Sequence, residues 1–306
     1  MSGRSLRRMG LRQAACRAGI PVAVVLLTSG CGGVLDPVGP VGAAEKQILL
    51  NSVSIMLAIV VPVIIASLAF AWWFRSGNRK AEYLPNWDFS GRIELVIWSI
   101  PLLTVVLLGG IAWIGSHDLE PSKPLRSAVT PLRVEIISLD WKWLFIYPEQ
   151  GVATVNQLVV PTNTPLDLRL TSATVWNAFF IPQLGTMIYT MPGMTTRLHL
   201  QADRPGVYDG QSSHFSGDGF PGMRFKVHAV PPESFGGWAS DARRTARVLD
   251  ARSYAGLAKQ SSYVAPAIYG AVVPGLFNAV ATMKAPPPGV PSKGKPSVDV
   301  SPRSDS

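Results

Sequence analysis

Two long uncharged runs dominate the first half of the chain. Residues 48–74 (ILLNSVSIMLAIVVPVIIASLAFAWWF) and residues 95–116 (LVIWSIPLLTVVLLGGIAWIGS) contain no Asp, Glu, Lys or Arg. As helices, both are long enough to cross the ~30 Å hydrocarbon layer of a bilayer. Trp72, Trp73 and Trp113 stand near their ends, where membrane proteins concentrate aromatic side chains. The pattern predicts a two-helix transmembrane hairpin, and buried helices of a large soluble protein are the alternative.

Beyond residue 125 the apolar positions change to a period of two. Turn signals separate five alternating segments, and this arrangement predicts an all-β sandwich or barrel over residues 125–231. The segments are LRVEIISLDWKWLFIYP, VNQLVVP, PLDLRLTSA, TTRLHLQAD and MRFKVHAV. The alternation places His199 and His228 opposite the apolar side chains, so we expect both to face solvent rather than to bind a metal.

Residues 232–284 form a further segment with a different composition. Its first part predicts a pair of helices, and its second part (SSYVAPAIYGAVVPGLFNAVATM) is apolar and aromatic but interrupted by Pro266 and Pro274. We expect this aromatic-rich extension to pack on a partner or on the membrane surface. Residues 285–306 are rich in Pro and Ser without apolar periodicity, which predicts a disordered tail.

The first 30 residues have the layout of a secretory signal peptide. A cluster of five arginines precedes a short apolar run that ends in small residues just before Cys31. The end of this run resembles the bacterial lipobox, which implies lipidation of Cys31 as the mature N-terminus. Ordinary cleavage that leaves a free thiol is the alternative. Because Cys16 would be removed with the signal, we expect no internal disulfide in the mature chain.

The distribution of charge predicts the topology. The chain is 47% hydrophobic and only 15% charged. Apart from the N-terminal arginine cluster, its basic residues are scattered and form no dense patch interleaved with aromatic residues, so the net charge of +9 does not indicate nucleic acid as a partner. Residues 75–94, between the two spans, carry three Arg and one Lys, whereas residues 31–47 carry one Lys. Basic loops stay in the cytoplasm, so residues 31–47 and the β domain are expected on the periplasmic side of a bacterial inner membrane.

Three motifs of the β domain carry a family resemblance. Two spans followed by LDWKWLFIYPEQG, FFIPQLG and YDGQSSHFSGDGFPGM resemble subunit II of the haem–copper terminal oxidases over residues 31–284. The resemblance implies a cupredoxin-like sandwich. In the cytochrome c oxidase branch this domain holds two copper ions, with ligands from a His ahead of a Pro-x-Leu-Gly turn and from a loop with two Cys, a Glu, a His and a Met.

The residues of this chain depart from that ligand set. Ser212 and Ser216 occupy the two Cys slots, Phe220 occupies the His slot, and His214 occupies the slot of the Glu. Asn177 stands where the upstream His belongs, so Met223 alone is retained. A mixed-valence copper pair needs thiolate and imidazole ligands, and hydroxyl, amide and phenyl groups cannot replace them. We therefore expect no metal in this chain and interpret Met223 as an apolar plug.

This departure resembles the quinol branch, the ubiquinol oxidases of the cytochrome bo type. The resemblance implies a proton-pumping respiratory complex that oxidises ubiquinol and reduces oxygen, with haem and copper in subunit I and no cofactor in this chain. The chain would then be a non-catalytic subunit beside subunits I, III and IV. Its aromatic run, Trp141, Trp143, Phe145 and Tyr147, would serve core and interface packing. A cytochrome c oxidase subunit and a free-standing cupredoxin-like lipoprotein are the alternatives.

Glu94 is an acid at the cytoplasmic mouth of the second span. Charged residues at the membrane edge are candidates for function. In the family, an acid in this region lies near the entrance of a proton path in subunit I. An interfacial charge that only marks the end of the span is the alternative.

Overall fold

The computed structural model describes residues 32–82 and 84–284. The predicted signal peptide, Cys31 and the predicted disordered tail lie outside the described residues. The described chain begins with a short helix α1 (Gly32–Leu35) and two long helices, α2 (Pro40–Trp73) and α3 (Gly91–Asp118). Both long helices continue through an internal proline, Pro62 or Pro101, and their apolar windows are not buried by the rest of the chain.

Helix α2 is longer than a membrane span requires. Its 34 residues correspond to roughly 51 Å at 1.5 Å per residue, against a hydrocarbon layer of ~30 Å. The excess lies at its N-terminus, which packs on the β domain. Val38 and Val41 are buried there, the Val38 N–H donates to the Gln183 carbonyl at 2.8 Å, and the Gly42 N–H donates to the Leu184 carbonyl at 3.0 Å. The first turns of α2 therefore belong to the outer domain.

The outer domain is a sandwich of two sheets, and each sheet contains both parallel and antiparallel strand pairs. The strands are β1 (Leu132–Leu139), β2 (Lys142–Tyr147), β3 (Val152–Val155), β4 (Gln157–Pro161), β5 (Leu166–Ser172), β6 (Asn177–Phe180), β7 (Ile188–Thr190), β8 (Thr196–Leu200), β9 (Gly206–Ser212), β10 (Arg224–Val230), β11 (Val248–Leu249), β12 (Ala267–Tyr269) and β13 (Ala271–Val272). The six-stranded sheet has the order β12-β3-β2-β1-β5-β8, and the five-stranded sheet has the order β4-β10-β9-β6-β7. Strands β11 and β13 form a separate parallel pair.

The main core lies between the two sheets. Trp143, Phe145 and Tyr147 of β2 alternate into it and are fully buried, which confirms core packing for three of the four residues of the aromatic run, while Trp141 is partly buried. Phe179 and Phe225 of the opposite sheet stack at 5.1 Å between ring centroids, with the Trp143 ring edge-on to both. Aromatic clusters of this kind supply a large share of the buried apolar area of a small domain.

The outer face of the six-stranded sheet is also buried, by the C-terminal extension. This extension consists of α4 (Pro232–Arg243), α5 (Ala251–Leu257) and α6 (Leu276–Ala281) with the short strands between them. Phe277 is 1% exposed and packs with Leu144 and Ile146, while β12 pairs with β3 at the sheet edge. The buried apolar residues of the extension therefore cover its own sheet, a contact that the expectation of packing on a partner or on the membrane did not include.

Lys142 ties the extension to the sheet. Its side chain is fully buried, and Nζ donates to the carbonyls of Asp140 at 2.8 Å, Leu257 at 2.9 Å and Lys259 at 2.7 Å. Two of these carbonyls lie at the C-terminal end of α5, where helix carbonyls lack partners within the helix. Burial lowers the pKa of Lys142 to about 8, and the neighbouring Asp140 opposes this shift.

The expectation that His199 faces solvent is wrong. The side chain of His199 is buried, because the segment after α3 covers the outer face of β8. The His199 N–H donates to the Pro121 carbonyl at 3.0 Å, and Nε2 lies 3.5 Å from Oδ1 of Asp167. Period-two alternation indicates the side of the sheet on which a residue lies. It does not indicate whether another segment of the chain covers that side.

Candidate functional site at the β9–β10 loop

Asn177 and Ser212, which are far apart in sequence, meet inside the domain. Asn177 opens β6 and Ser212 closes β9, and both are buried. The Ser212 hydroxyl lies 3.3 Å from Oδ1 of Asn177 and 3.1 Å from the His214 carbonyl, which are alternative acceptors for its single proton. The fold therefore brings together two of the positions that the sequence comparison assigned to copper ligands.

Two further buried hydroxyls complete this polar cluster. Ser138 and Thr190 share a hydrogen bond of 2.8 Å, Nδ2 of Asn177 lies 3.5 Å from the Ser138 hydroxyl, and Thr190 donates to the Asn177 carbonyl at 3.3 Å. All four residues are at most 5% exposed. Because unpartnered polar groups are costly in a protein interior, these contacts fix the side chains relative to one another.

Trp141 fixes the loop that follows β9. Its Nε1–H donates to the Ser216 carbonyl at 2.7 Å. Its ring lies against Gly219, where a Cβ atom would approach the ring to 2.3 Å, so no other residue fits there without movement of the loop. The Ser216 hydroxyl is buried and has no hydrogen-bond partner within the described residues.

The remaining three positions have different surroundings. Met223 is 1% exposed and packs in the main core, and its carbonyl accepts from the Ser212 N–H at 3.1 Å. Phe220 lies in a single 3-10 turn (Phe220–Gly222), with its ring 5.7 Å from that of Phe215. His214 is exposed, and its ring lies edge-on to Tyr189 at 5.7 Å.

The donor atoms at these positions do not fit a dinuclear copper centre. Such a centre requires soft bridging thiolates together with imidazoles. Ser212 and Ser216 offer hydroxyls, Asn177 offers an amide that already bonds within the domain, and Phe220 offers no donor atom. Within the described residues, no group of three or more His, Cys, Asp or Glu side chains is placed to hold a metal ion.

Comparison with known proteins assigns the two parts of the outer domain to families. Residues 134–230 match the model described as cytochrome c oxidase subunit II, periplasmic domain, and residues 243–286 match the COX aromatic rich motif. The chain is 45% identical over 264 residues to cytochrome bo(3) ubiquinol oxidase subunit 2 of Pseudomonas aeruginosa, covering 86% of this chain and 80% of that protein. It is 48% identical over 259 residues to ubiquinol oxidase subunit 2 of Acetobacter aceti, covering 83% of this chain and 84% of that protein.

This chain belongs to the ubiquinol oxidase subunit 2 family. Among solved structures, it is similar to the periplasmic domain of cytochrome oxidase subunit II of Bradyrhizobium japonicum, with 25% identity, a TM-score of 0.36, and coverage of 37% of this chain and 94% of that one. The family assignment supports the quinol branch of the haem–copper oxidases over the cytochrome c oxidase alternative. The expected membrane hairpin with a cupredoxin-like domain and a helical C-terminal part is confirmed.

Glu94 lies far from the polar cluster of the outer domain. It is exposed in the first turn of α3, and its N–H donates to the Ser90 carbonyl at 2.9 Å. This is the end of the hairpin opposite the outer domain, so the subunit 2 fold separates Glu94 from the β9–β10 loop by the length of the spans.

Sequence reasoning missed Ser138, Thr190 and the loop contact of Trp141. Ser138 shares its strand face with Val134 and Ile136, so a polar residue on an otherwise apolar inner face was an available signal. Thr190 carried no comparable signal, because β7 has only three residues. The contact between Trp141 and the Ser216 carbonyl joins positions 75 residues apart and depends on the fold.

Proposed function

We propose that this chain is a structural subunit of its ubiquinol oxidase, without a redox centre of its own. The outer domain covers the periplasmic side of the complex, and electrons enter the complex from ubiquinol on the membrane side. The haems and the copper of the complex belong to subunit I, and ubiquinol is the substrate of the complex as a whole.

The observation that carries this proposal is the chemistry at the β9–β10 loop. A relay through the outer domain needs a metal centre with thiolate and imidazole ligands at Asn177, Ser212, Ser216 and Phe220. The Asn177 and Ser212 side chains instead bond to each other at 3.3 Å, and Met223 is enclosed by the core. These contacts favour a packing role for the loop over a redox role.

The partners follow from the same proposal. Subunits I, III and IV bind the chain, with the apolar faces of α2 and α3 packed against subunit I or lipid, and nucleic acid is not a partner. Large apolar side chains such as Leu68, Leu95 and Trp98 are more than 60% exposed within this chain, so partners or lipid must cover them.

We also propose the orientation and the anchor. The outer domain lies in the periplasm and residues 75–94 lie in the cytoplasm, as the distribution of basic residues favours. A lipid on Cys31 adds a further anchor to the two spans, in the inner membrane of the bacterium. Intact mass measurement of the mature chain tests the lipid, and a mass that corresponds to unmodified Cys31 would remove that part of the proposal.

Glu94 is proposed to lie near the entrance of a proton path in the partner subunit. Its position at the end of α3 and its exposure within this chain support this role, since an exposed acid at a membrane edge can exchange protons with the cytoplasm. Within the described residues, the Glu94 carboxylate forms no ion pair with a basic side chain.

The direct experiment compares electron donors. The affinity-tagged chain is purified from the membrane in mild detergent, and the oxygen uptake of the preparation is measured with ubiquinol and with reduced cytochrome c. Co-purifying haem together with uptake driven by ubiquinol alone is the expected result. Uptake driven by cytochrome c would overturn the proposal, and a chain that purifies alone without haem would favour a free-standing lipoprotein.

A further inference from the structure

A cleft lies at the end of α2 that points away from the outer domain. Its volume is about 570 Å³, and it lies between the last turn of α2 and the segment that leads to α3. Its walls are large apolar side chains, namely Trp73, Phe74, Leu84 and Trp87, and two charged residues, Lys80 and Glu82, also line it. Each of the four apolar side chains is at least 45% exposed within this chain.

The segment that forms the cleft is held by local hydrogen bonds. Nδ2 of Asn78 donates to the Trp73 carbonyl at 2.6 Å, and the Lys80 N–H donates to Oδ1 of Asn78 at 3.2 Å. Asn78 therefore caps the C-terminal end of α2 and at the same time sets the backbone of Lys80 beside Trp73. The walls of the cleft are built by the sequence around Asn78 rather than by contact with another domain.

The two charges of the cleft have opposite signs, and the two side chains do not form an ion pair with each other. Among the ion pairs of the described residues, neither Lys80 nor Glu82 takes part. The cleft thus offers one ammonium and one carboxylate next to an aromatic wall. Its place at the end of an uncharged span is the level at which lipid headgroups meet tryptophan side chains.

We propose that this cleft binds a phospholipid whose headgroup carries both a phosphate and a primary ammonium, as phosphatidylethanolamine does. Lys80 pairs with the phosphate and Glu82 pairs with the ammonium. The glycerol and the first carbons of the acyl chains lie against Trp73, Phe74 and Trp87. This site goes beyond the structural role proposed above, since it gives the chain a lipid preference that does not depend on quinol chemistry.

Charge complementarity selects this headgroup over the other common ones. Phosphatidylglycerol satisfies Lys80 but leaves Glu82 facing an anionic lipid. Phosphatidylcholine carries a positive charge but no N–H donor for the Glu82 carboxylate. A basic site without an acid would favour anionic lipids in general, so Glu82 is the residue that determines specificity.

Native mass spectrometry of the tagged full-length chain, as it purifies from the membrane, tests the site. Phosphatidylethanolamine, phosphatidylglycerol or phosphatidylcholine is added to the delipidated preparation, and the lipid retained by this chain is measured. We expect preferential retention of phosphatidylethanolamine. Lys80→Gln should lower it about fivefold, the effect of one interfacial charge on a phosphate. Glu82→Gln should abolish the preference over phosphatidylglycerol while retaining binding.

Arg79→Gln is the matched control. It removes one charge from the same segment, but Arg79 does not line the cleft, so retention should equal that of the unsubstituted chain. The proposal is overturned if the unsubstituted chain retains the three lipids equally or retains none. It is also overturned if Lys80→Gln and Glu82→Gln behave like Arg79→Gln. Oxygen uptake plays no part in this readout, so its outcome is separate from that of the proposed function.

Discussion

At the scale of single residues, a hydrogen bond joins Asn177 and Ser212, two positions that the sequence resemblance aligns with copper ligands. Serine is close to cysteine in size, so Ser212 can keep the backbone of the strand end while its hydroxyl bonds to Asn177. Met223 needs no metal to remain in place, because the core encloses it. The cupredoxin-like fold is therefore compatible with hydrogen-bonded side chains at positions aligned with copper ligands.

Removal of the Ser212 hydroxyl should destabilise the outer domain. Ser212→Ala removes the hydroxyl that donates to Oδ1 of Asn177 or to the His214 carbonyl. The loss of this hydrogen bond should lower the free energy of unfolding by about 1 kcal/mol. Thermal unfolding of the full chain in detergent, followed by tryptophan fluorescence, should show a lower midpoint. Ser213→Ala is the control, because Ser213 is exposed and should change the midpoint little. Equal midpoints for the two variants would contradict a structural role for the polar cluster.

Lys142 predicts a specific dependence of stability on pH. Its pKa is about 8 in the folded chain and 10.5 for an unperturbed lysine, so between these values the unfolded state binds more protons. The free energy of unfolding should therefore rise with pH across this window, relative to Lys142→Met, which has no such proton to lose. Denaturant unfolding at several pH values between 8 and 10.5 measures the difference. A difference that stays constant or falls would show that the pKa of Lys142 is not lowered.

At the scale of elements, the sequence patterns predicted the two spans and many of the strands. Each alternating segment of the sequence contains an observed strand, and LRVEIISLDWKWLFIYP contains two, β1 and β2. Strands β3, β6, β7, β11, β12 and β13 were not predicted, because two to four residues are too few to show a period. Strand β9 was also not predicted, although it has seven residues. The covered outer face had a sequence signal, since Ile136 and Ile137 are adjacent apolar residues and interrupt the alternation of β1.

The contact between α2 and the outer domain was not visible in the sequence. It depends on Gly39, where the carbonyl oxygen of Gln201 lies 2.0 Å from the position that a Cβ would take. The contact is between the backbone at Gly39 and the backbone at Gln201, and no pattern of apolar residues in the sequence indicates it. Only the fold shows that the start of the first long helix and the strand end near Gln201 are neighbours.

Gly39→Ala should displace the start of α2 from the outer domain. The new methyl group meets a backbone atom, so the segment must move and Val38 and Val41 lose burial worth about 1.5–3 kcal/mol each. Hydrogen exchange of the full chain in detergent should show loss of protection for the amides of Val38 and Gly42. Gly77→Ala, with no atom within 4 Å of the added carbon, is the control. Unchanged protection in Gly39→Ala would contradict the close contact.

At the scale of the whole molecule, the fold separates two regions by the length of the membrane spans. The outer domain with its polar cluster lies at one end, and Glu94 and the lipid cleft lie at the other. Family membership supports a place in a ubiquinol oxidase, and the proposed roles of the two ends can be tested independently. The roles of individual residues, Glu94 above all, could not be predicted from this chain alone, since they depend on what the partner subunit presents.

Glu94→Gln should lower the rate of quinol-driven oxygen uptake several-fold in the assembled oxidase. The variant keeps the size of the side chain but removes the group that accepts and releases a proton. Asp88→Asn, an exposed acid just ahead of α3, is the control and should leave the rate unchanged. Haem content is measured in both preparations to confirm assembly. An unchanged rate in Glu94→Gln with normal haem would leave Glu94 as an interfacial charge.

The copper content of the outer domain decides whether this subunit holds a copper relay. The purified domain is exposed to copper, dialysed, and measured by elemental analysis and visible absorption. A variant with Asn177→His, Ser212→Cys, His214→Glu, Ser216→Cys and Phe220→His, which restores the ligand types, is the positive control. We predict no tightly bound copper in the unsubstituted domain and a purple centre in the control. A purple, stoichiometric dinuclear centre in the unsubstituted domain would show that the subunit does carry a copper relay.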